Sequence, residues 1–277
     1  METRMNERIE WTRHPDGVVE LQLARADKMN ALDPAMFDAL IDAGERLRND
    51  TAARAVVLSG RGKAFCAGLD MQSFERMDQD SVDVLGEGAA GADLLVRTHG
   101  LSNAAQQVAM TWRDVPVPVI AAVHGVAFGG GLQVALGADI RIVAPDTKLS
   151  VMEIKWGLVP DMAGMVVMRE LARTDVVREL TFTGRIFSGA EALAIGFATR
   201  LSAEPLLDAL QMAHDIASKS PHAIRAGKRL LNASLSHSAA EMLLAESVEQ
   251  KALIGSANQT EAVRANIERR APTFADV

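Results

Sequence analysis

Cysteine is almost absent. Cys66 is the only one in 277 residues, so no internal disulfide can staple the fold, which fits a reducing compartment. The opening METRMNERIEWTR is charged throughout and lacks the apolar centre of a signal peptide. No stretch approaches the ~20 apolar residues of a membrane helix, so the expected address is the cytoplasm, with no membrane partner. Lysine and arginine never gather into a long run. They number 29 against 36 acids, a formal charge of −7, which argues against a general binder of nucleic acid. The six histidines are scattered without metal-ligand spacing, so no metal is expected. There is no G-x-G-x-x-G fingerprint, and Lys63 is followed by Ala64 rather than by the residues of a phosphate-binding P-loop. Nothing repeats at a fixed period.

What is present describes a globular chain, 48% hydrophobic and 23% charged, long enough for one large domain or a domain plus an appendage. It is organised around residues 124–140, HGVAFGGGLQVALGADI. The β-branched run 115–123 ahead of it reads as a buried strand whose Pro116 and Pro118 confine its start to an edge. Leu132, Val134, Ala135, Leu136 and Ala138 suit a buried helix. The three glycines 129–131 then form a strand-to-helix turn with free backbone N–H groups at the positive end of a helix, a place for an oxygen that develops negative charge. Tight helix–sheet packing explains the same glycines equally well.

Residues 19–23 alternate apolar and polar as a half-buried strand, and a polar turn follows over 25–30. Asp33 and Pro34 are a cap and first-turn pair for a helix with Met36, Phe37, Leu40, Ile41 and Leu47 on one face. A buried strand follows over 55–59. This order implies an α/β unit with parallel pairing. Residues 63–70, KAFCAGLD, make a second small-residue turn. Residues 72–91, acidic and glycine-bearing, read as a mobile lid, and a helix is expected from about 92 to 112. Short strands are expected over 140–144 and 148–151, a loop over 153–160, and helices over 163–173 and 190–195, the last capped by Ser188. From Glu204 only helices are expected: 205–219, 221–233, one opened by the capping box Ser238-Ala239-Ala240-Glu241, and 258–270.

Arg25–Leu32, GKAFCAGLDM at 62–71, AAVHGVAFGGGLQVALGADIRI at 121–142, MEIKWGLVPDMAG at 152–164, TGRIFSGAEALAIGF at 183–197 and the RRAPTF ending resemble, in order and spacing, the enoyl-CoA hydratase/isomerase (crotonase) superfamily. The resemblance implies a crotonase-like α/β spiral of ββα units over 1–203 that carries the acyl-CoA site. It also implies a C-terminal α-helical trimerisation region over 204–277, in homotrimers or homohexamers. The implied partner is a fatty acyl-CoA thioester. No cofactor is implied, since coenzyme A arrives with the substrate. In such enzymes two backbone N–H groups hold the enolate oxygen of the thioester, and similarity puts them on Leu69 and Gly130. A donor lost from such a hole costs about 2.7–4 kcal/mol of barrier. Lys28, Met29, Ala67, Asp70, Met71, Gln133 and Pro160 resemble the residues that line the coenzyme A and acyl pockets. The basic residue that often follows the final Phe is missing, since Ala275 follows Phe274.

Hydratases hold water between two glutamates. The first position is Gln133 here, an amide that orients but cannot take a proton. The second is Glu153, and Asp161 stands eight residues further on. That pair resembles the Δ3,5-Δ2,4-dienoyl-CoA isomerases, although those carry Asp where this chain has Gln133. Double-bond migration in a fatty acyl-CoA is therefore the expected reaction. The alternatives are a hydratase or a simple 3-enoyl to 2-enoyl isomerase that uses Glu153 alone. Each residue also has a plainer use: Asp161 as a helix cap, Ala67-Gly68 as a structural turn, His124 as a packed hydrogen-bonded residue, Cys66 and the thirteen methionines as core. Trp156 and some methionines suit an acyl tunnel instead. A superfamily branch that binds RNA leaves a different class open, with Arg225, Lys228 and Arg229 or Arg264, Arg269 and Arg270 as its basic face. A solvated helix face accounts for the same residues.

Overall fold

The computed structural model describes residues 2–5, 7–73 and 93–277, with side chains from residue 7 onward. The lid expected over 72–91 lies almost wholly outside the described residues. Ten strands form two sheets among the described residues. β1 (Glu2–Met5), β2 (Ile9–Arg13) and β3 (Val18–Leu23) pair antiparallel. β4 (Ala55–Gly60), β5 (Val119–Val123), β7 (Ile140–Val143) and β10 (Arg200–Leu201) then extend the sheet in parallel from β3. The strand order is β1-β2-β3-β4-β5-β7-β10. A smaller sheet has the order β6-β8-β9, from β6 (Val126–Phe128), β8 (Lys148–Ser150) and β9 (Phe187–Ser188).

The central strands are buried on both faces, which is why they read as unbroken apolar runs. Alternation divides them: Val56, Leu58, Val119, Ala121 and Val123 join the larger core, whereas Val57, Ile120, Ala122 and Ile142 join a second one. The larger core packs under α1 (Pro34–Arg48), α2 (Ala104–Asp114) and α3 (Gly130–Gly137). Asp33 caps α1 by accepting from the Met36 N–H, with Pro34 at the first position, as the sequence requires. α2 is shorter than the expected helix. Asn103 and Gln106 form a reciprocal capping box that starts it at Ala104, and residues 93–103 make turns instead. β5 also differs, because it lies inside the sheet and not at an edge. Its prolines fall before the paired segment, and Pro118 still serves the ladder by accepting from the Val56 N–H.

The smaller helices α4 (Gly164–Leu171), α5 (Thr174–Thr183) and α6 (Gly189–Ile195) follow, α6 capped by Ser188. From Glu204 onward the described chain is helical: α7 (Pro205–Ala217), α8 (Pro221–Ala233), α9 (Ala239–Leu253) and α10 (Ala257–Glu268). α7 lays Ala209, Ala213 and Ala217 on the second core, small side chains that bring helix and sheet close. α8 is anchored by charge. Lys228 Nζ donates to the Trp112 and Val117 carbonyls and to Asp139, at 2.8, 3.0 and 2.7 Å. Arg225 donates to the Asp50 and Ala53 carbonyls. Both are buried, so two of the residues expected on a solvated or RNA-binding face are braces between α8 and the sheet. Arg229 pairs with Glu249 and Arg270 with Glu261 and Glu268. Among the described residues no helix is long and apolar enough to cross a membrane.

Candidate active site

Two small-residue turns meet at the start of α3. The segment after β4 runs beside β6, where the Cys66 N–H donates to Val126 and the Phe128 N–H to Cys66. This brings the 66–70 turn against 128–130, so close that a Cβ on Gly68 would lie 2.6 Å from the Phe128 carbonyl oxygen and 3.8 Å from the Gly130 nitrogen. Gly129 turns the chain into the helix at φ 49° and ψ −119°, a conformation for glycine only. Its own N–H is taken by Ser150, but among the described residues neither the Leu69 nor the Gly130 N–H donates to a protein acceptor. Both N–H groups are therefore available at a helix N-terminus, which favours an oxygen bearing negative charge.

The Leu69 side of this turn is held by the segment after β3. The Leu32 N–H donates to Gly68, the Asp70 N–H to Leu32, and the Ala67 N–H to Met29. Lys28 ends a short 3-10 turn, and Met29 and Asn30 are both left-handed, at φ 49° and 56°. So Lys28, Met29, Ala67, Asp70 and Met71 share one edge, with Met29 and Met71 exposed. Asn30 holds that edge together and escaped the sequence analysis. Fully buried, its amide donates to the Arg61, Ala64 and Phe65 carbonyls and accepts from the Arg25 N–H. The available signal was Asn in a polar turn before an apolar pair, since Asn tolerates left-handed backbone. Asp70 faces inward: it accepts from Arg25 at 2.5 Å and from the Gln72 N–H at 2.8 Å. Burial works to raise its carboxyl, but these two partners outweigh that and hold it below the usual range.

Gln133 and Glu153 meet on the other side of Gly129. Gln133 is buried, its Oε1 accepts from the Gly164 N–H at 2.8 Å, and its Nε2 donates to Glu153 Oε1 at 2.6 Å. Glu153 Oε2 is buried too and has no hydrogen-bond partner among the described residues. Glu153 stands on a single 3-10 turn, Glu153–Trp156, where a loop was expected. Burial raises its carboxyl, the Gln133 hydrogen bond opposes that, and the Asp161 charge adds to the rise. Asp161 lies close enough for that influence and is itself raised by desolvation, although its own surface touches water. It does not cap α4: the N-cap is Ala163, left-handed at φ 65° and without a side-chain cap. Of the apolar neighbours, Met162 is buried and packs with Leu32 over Gly130, whereas Val159 and Met165 are largely exposed. Pro160 is buried at the same turn, and Trp156 is partly exposed.

His124 meets the Gly62 carbonyl at 3.0 Å, and burial pushes the Cys66 thiol up to about 12, so neither is poised as a base or nucleophile. Among the described residues no group of three or more His, Cys, Asp and Glu is arranged to hold a metal. Glu153, with its buried Oε2, and Asp161, which reaches the surface, have no cationic partner among the described residues, and beside these two N–H groups they suit proton transfer to and from carbon next to a carbonyl.

A family profile described as enoyl-CoA hydratase/isomerase matches residues 13–277. The chain is 34% identical over 230 residues to the human mitochondrial Delta(3,5)-Delta(2,4)-dienoyl-CoA isomerase, covering 82% of this chain and 69% of that protein. It is 32% identical over 220 residues to carnitinyl-CoA dehydratase of Proteus mirabilis, covering 78% and 77%. The crystal structure of an enoyl-CoA hydratase from Mycobacterium tuberculosis superposes with a TM-score of 0.82 at 27% identity, covering 98% of this chain and 100% of that one. With this crotonase fold and these relatives, the chain belongs to the enoyl-CoA hydratase/isomerase family, as an enzyme that acts on acyl-CoA.

Proposed function

We propose that the enzyme moves double bonds in fatty acyl-CoA thioesters, with the 3,5-dienoyl to 2,4-dienoyl shift as its reaction. The observation that carries this reading is the placement of two raised carboxyls, Glu153 and Asp161, at one site with an amide where a second water-activating acid would stand. Glu153 Oε2 takes a proton from C2, and the electron pair spreads from C2 to C6 and onto the thioester oxygen. The Leu69 and Gly130 N–H groups hold that oxygen. Asp161, starting neutral, delivers its proton to C6, which leaves double bonds at C2 and C4. Water then returns the proton from Glu153 to Asp161. Similarity to the dienoyl-CoA isomerase named above supports this choice over dehydration.

The test compares Glu153→Gln and Asp161→Asn on 3,5-dienoyl-CoA and 3-enoyl-CoA, followed by absorbance of the conjugated product. Glu153→Gln should abolish both reactions, and Asp161→Asn should cripple chiefly the dienoyl shift. Unchanged dienoyl turnover in Asp161→Asn would remove the second carboxyl from the mechanism. We also propose assembly as trimers or pairs of trimers, because Leu243, Leu244 and Val248 on α9 and Ile267 on α10 are exposed apolar side chains. A stable monomer in light scattering at micromolar concentration would refute that assembly.

A further inference from the structure

The two carboxyls of the site differ in exposure, since Asp161 reaches the surface whereas Glu153 Oε2 is buried, and in an amide that meets Glu153. Gln133 donates to Glu153 Oε1, whereas among the described residues no side chain donates to Asp161. The amide cannot flip without losing both bonds, because the Gly164 N–H needs an oxygen and the carboxylate needs an N–H. Its fit is close: a Cβ on Gly164 would lie 2.5 Å from Gln133 Oε1, so only glycine admits this approach. Gly164 also opens α4, three residues after Asp161. One side chain thereby ties the Glu153 turn to the segment that carries Asp161, and the left-handed Ala163 between them gives the backbone turn its shape.

We propose that Gln133 is a positioning residue for Glu153: its fixed amide takes up Oε1 and leaves Oε2 as the proton acceptor of that carboxylate. This rests on the double-bond-shift reading for its consequence, but the lock itself is a property of the unliganded site. The Gln133 N–H favours the ionised form of Glu153 against its burial.

Gln133→Met keeps the volume and removes both hydrogen bonds. With 3,5-dienoyl-CoA, kcat should fall about 10–100-fold, the range for a lost hydrogen bond to a charged group, while KM changes little. The acid limb of the pH profile should move to higher pH, because Glu153 then ionises less readily. Infrared titration of the carboxyl bands, with Glu153→Gln to identify the Glu153 band, reads the same shift without substrate. A lower kcat with the limb and the band unmoved would make Gln133 a packing residue and overturn the proposal. A band that moves in an enzyme without dienoyl-CoA turnover would uphold the lock and refute the isomerase reading. Should Gln133→Met fail to fold, Gln133→Glu keeps the acceptor for Gly164 and puts a like charge beside Glu153. Its limb and band must then move upward as well, and a band that stays in place overturns the proposal.

Discussion

Four carboxyls flank the two free N–H groups, and they fall into two opposite classes. Asp33 and Asp70 sit among guanidinium groups: Arg8 and Arg25 reach Asp33, and Arg25 reaches Asp70. Among the described residues, Glu153 and Asp161 have no cation among their influences. Burial pushes all four upward. In Asp33 and Asp70 it is overcome by hydrogen bonds and positive charge, and in Glu153 and Asp161 it prevails. Burial alone therefore does not decide the direction in which a carboxyl shifts; whether a cation or hydrogen-bond donors meet it does.

The largest expected effect belongs to the unpaired class. Glu153→Gln should lower isomerase turnover by about 10²–10⁴-fold, the usual worth of a general base, with circular dichroism unchanged. Asp70→Asn, in the paired class, should leave kcat within a few-fold. Comparable losses in the two variants would erase the division between the classes. Next, the wild-type enzyme should hydrate 2-enoyl-CoA poorly. Gln133→Glu, which supplies a second carboxyl, should raise hydration by up to about 10²-fold. Fast hydration of crotonyl-CoA by the wild type would show that one carboxyl suffices.

The smaller effects are on stability. Asp70→Asn leaves the Arg25 guanidinium short of one partner and should cost about 2 kcal/mol in urea unfolding. A null effect would mean that Asp33 alone satisfies Arg25. The pH dependence should separate the classes by sign. Asp33 and Asp70 ionise more readily folded than unfolded, so their contribution is present at neutral pH and is lost as pH falls below about 4. Glu153 and Asp161 hold protons more tightly when folded, so their contribution falls as pH rises from about 4 through their raised values. In melting curves across that range, Glu153→Gln should melt higher than the wild type at neutral pH and level with it in acid. The opposite order would contradict the raised carboxyl.

Local rules made much of this legible from the residues alone. Asp33-Pro34, the glycine turn and the Ser238 capping box each act within a few residues, and each stands where expected. Gln133, Glu153 and Asp161 were legible only through family resemblance, because their meeting depends on bonds across 20 and 31 residues. Helical periodicity put Arg225 and Lys228 on one face without revealing that the face meets the backbone carbonyls of Asp50 and Trp112. The late start of α2 was readable, since Asn103 and Gln106 have the spacing of a capping box, but a continuous apolar pattern concealed it. Ala163 gave no signal, because nothing about alanine announces a left-handed turn.

The alanine stripe of α7 has a consequence for the chain while it is being made. The second face of the sheet takes its cover from Ala209, Ala213 and Ala217, yet the strands that need this cover are complete at Val143. At about 5–20 residues per second of synthesis, the sheet waits on the order of ten seconds for its lid of small side chains. During that interval Val57, Ile120, Ala122 and Ile142 face water or whatever binds nascent apolar surface. Folding of the body therefore ends only when the chain has passed Ala217, and a ribosome stalled before that point would present a half-covered sheet to the cell's chaperones.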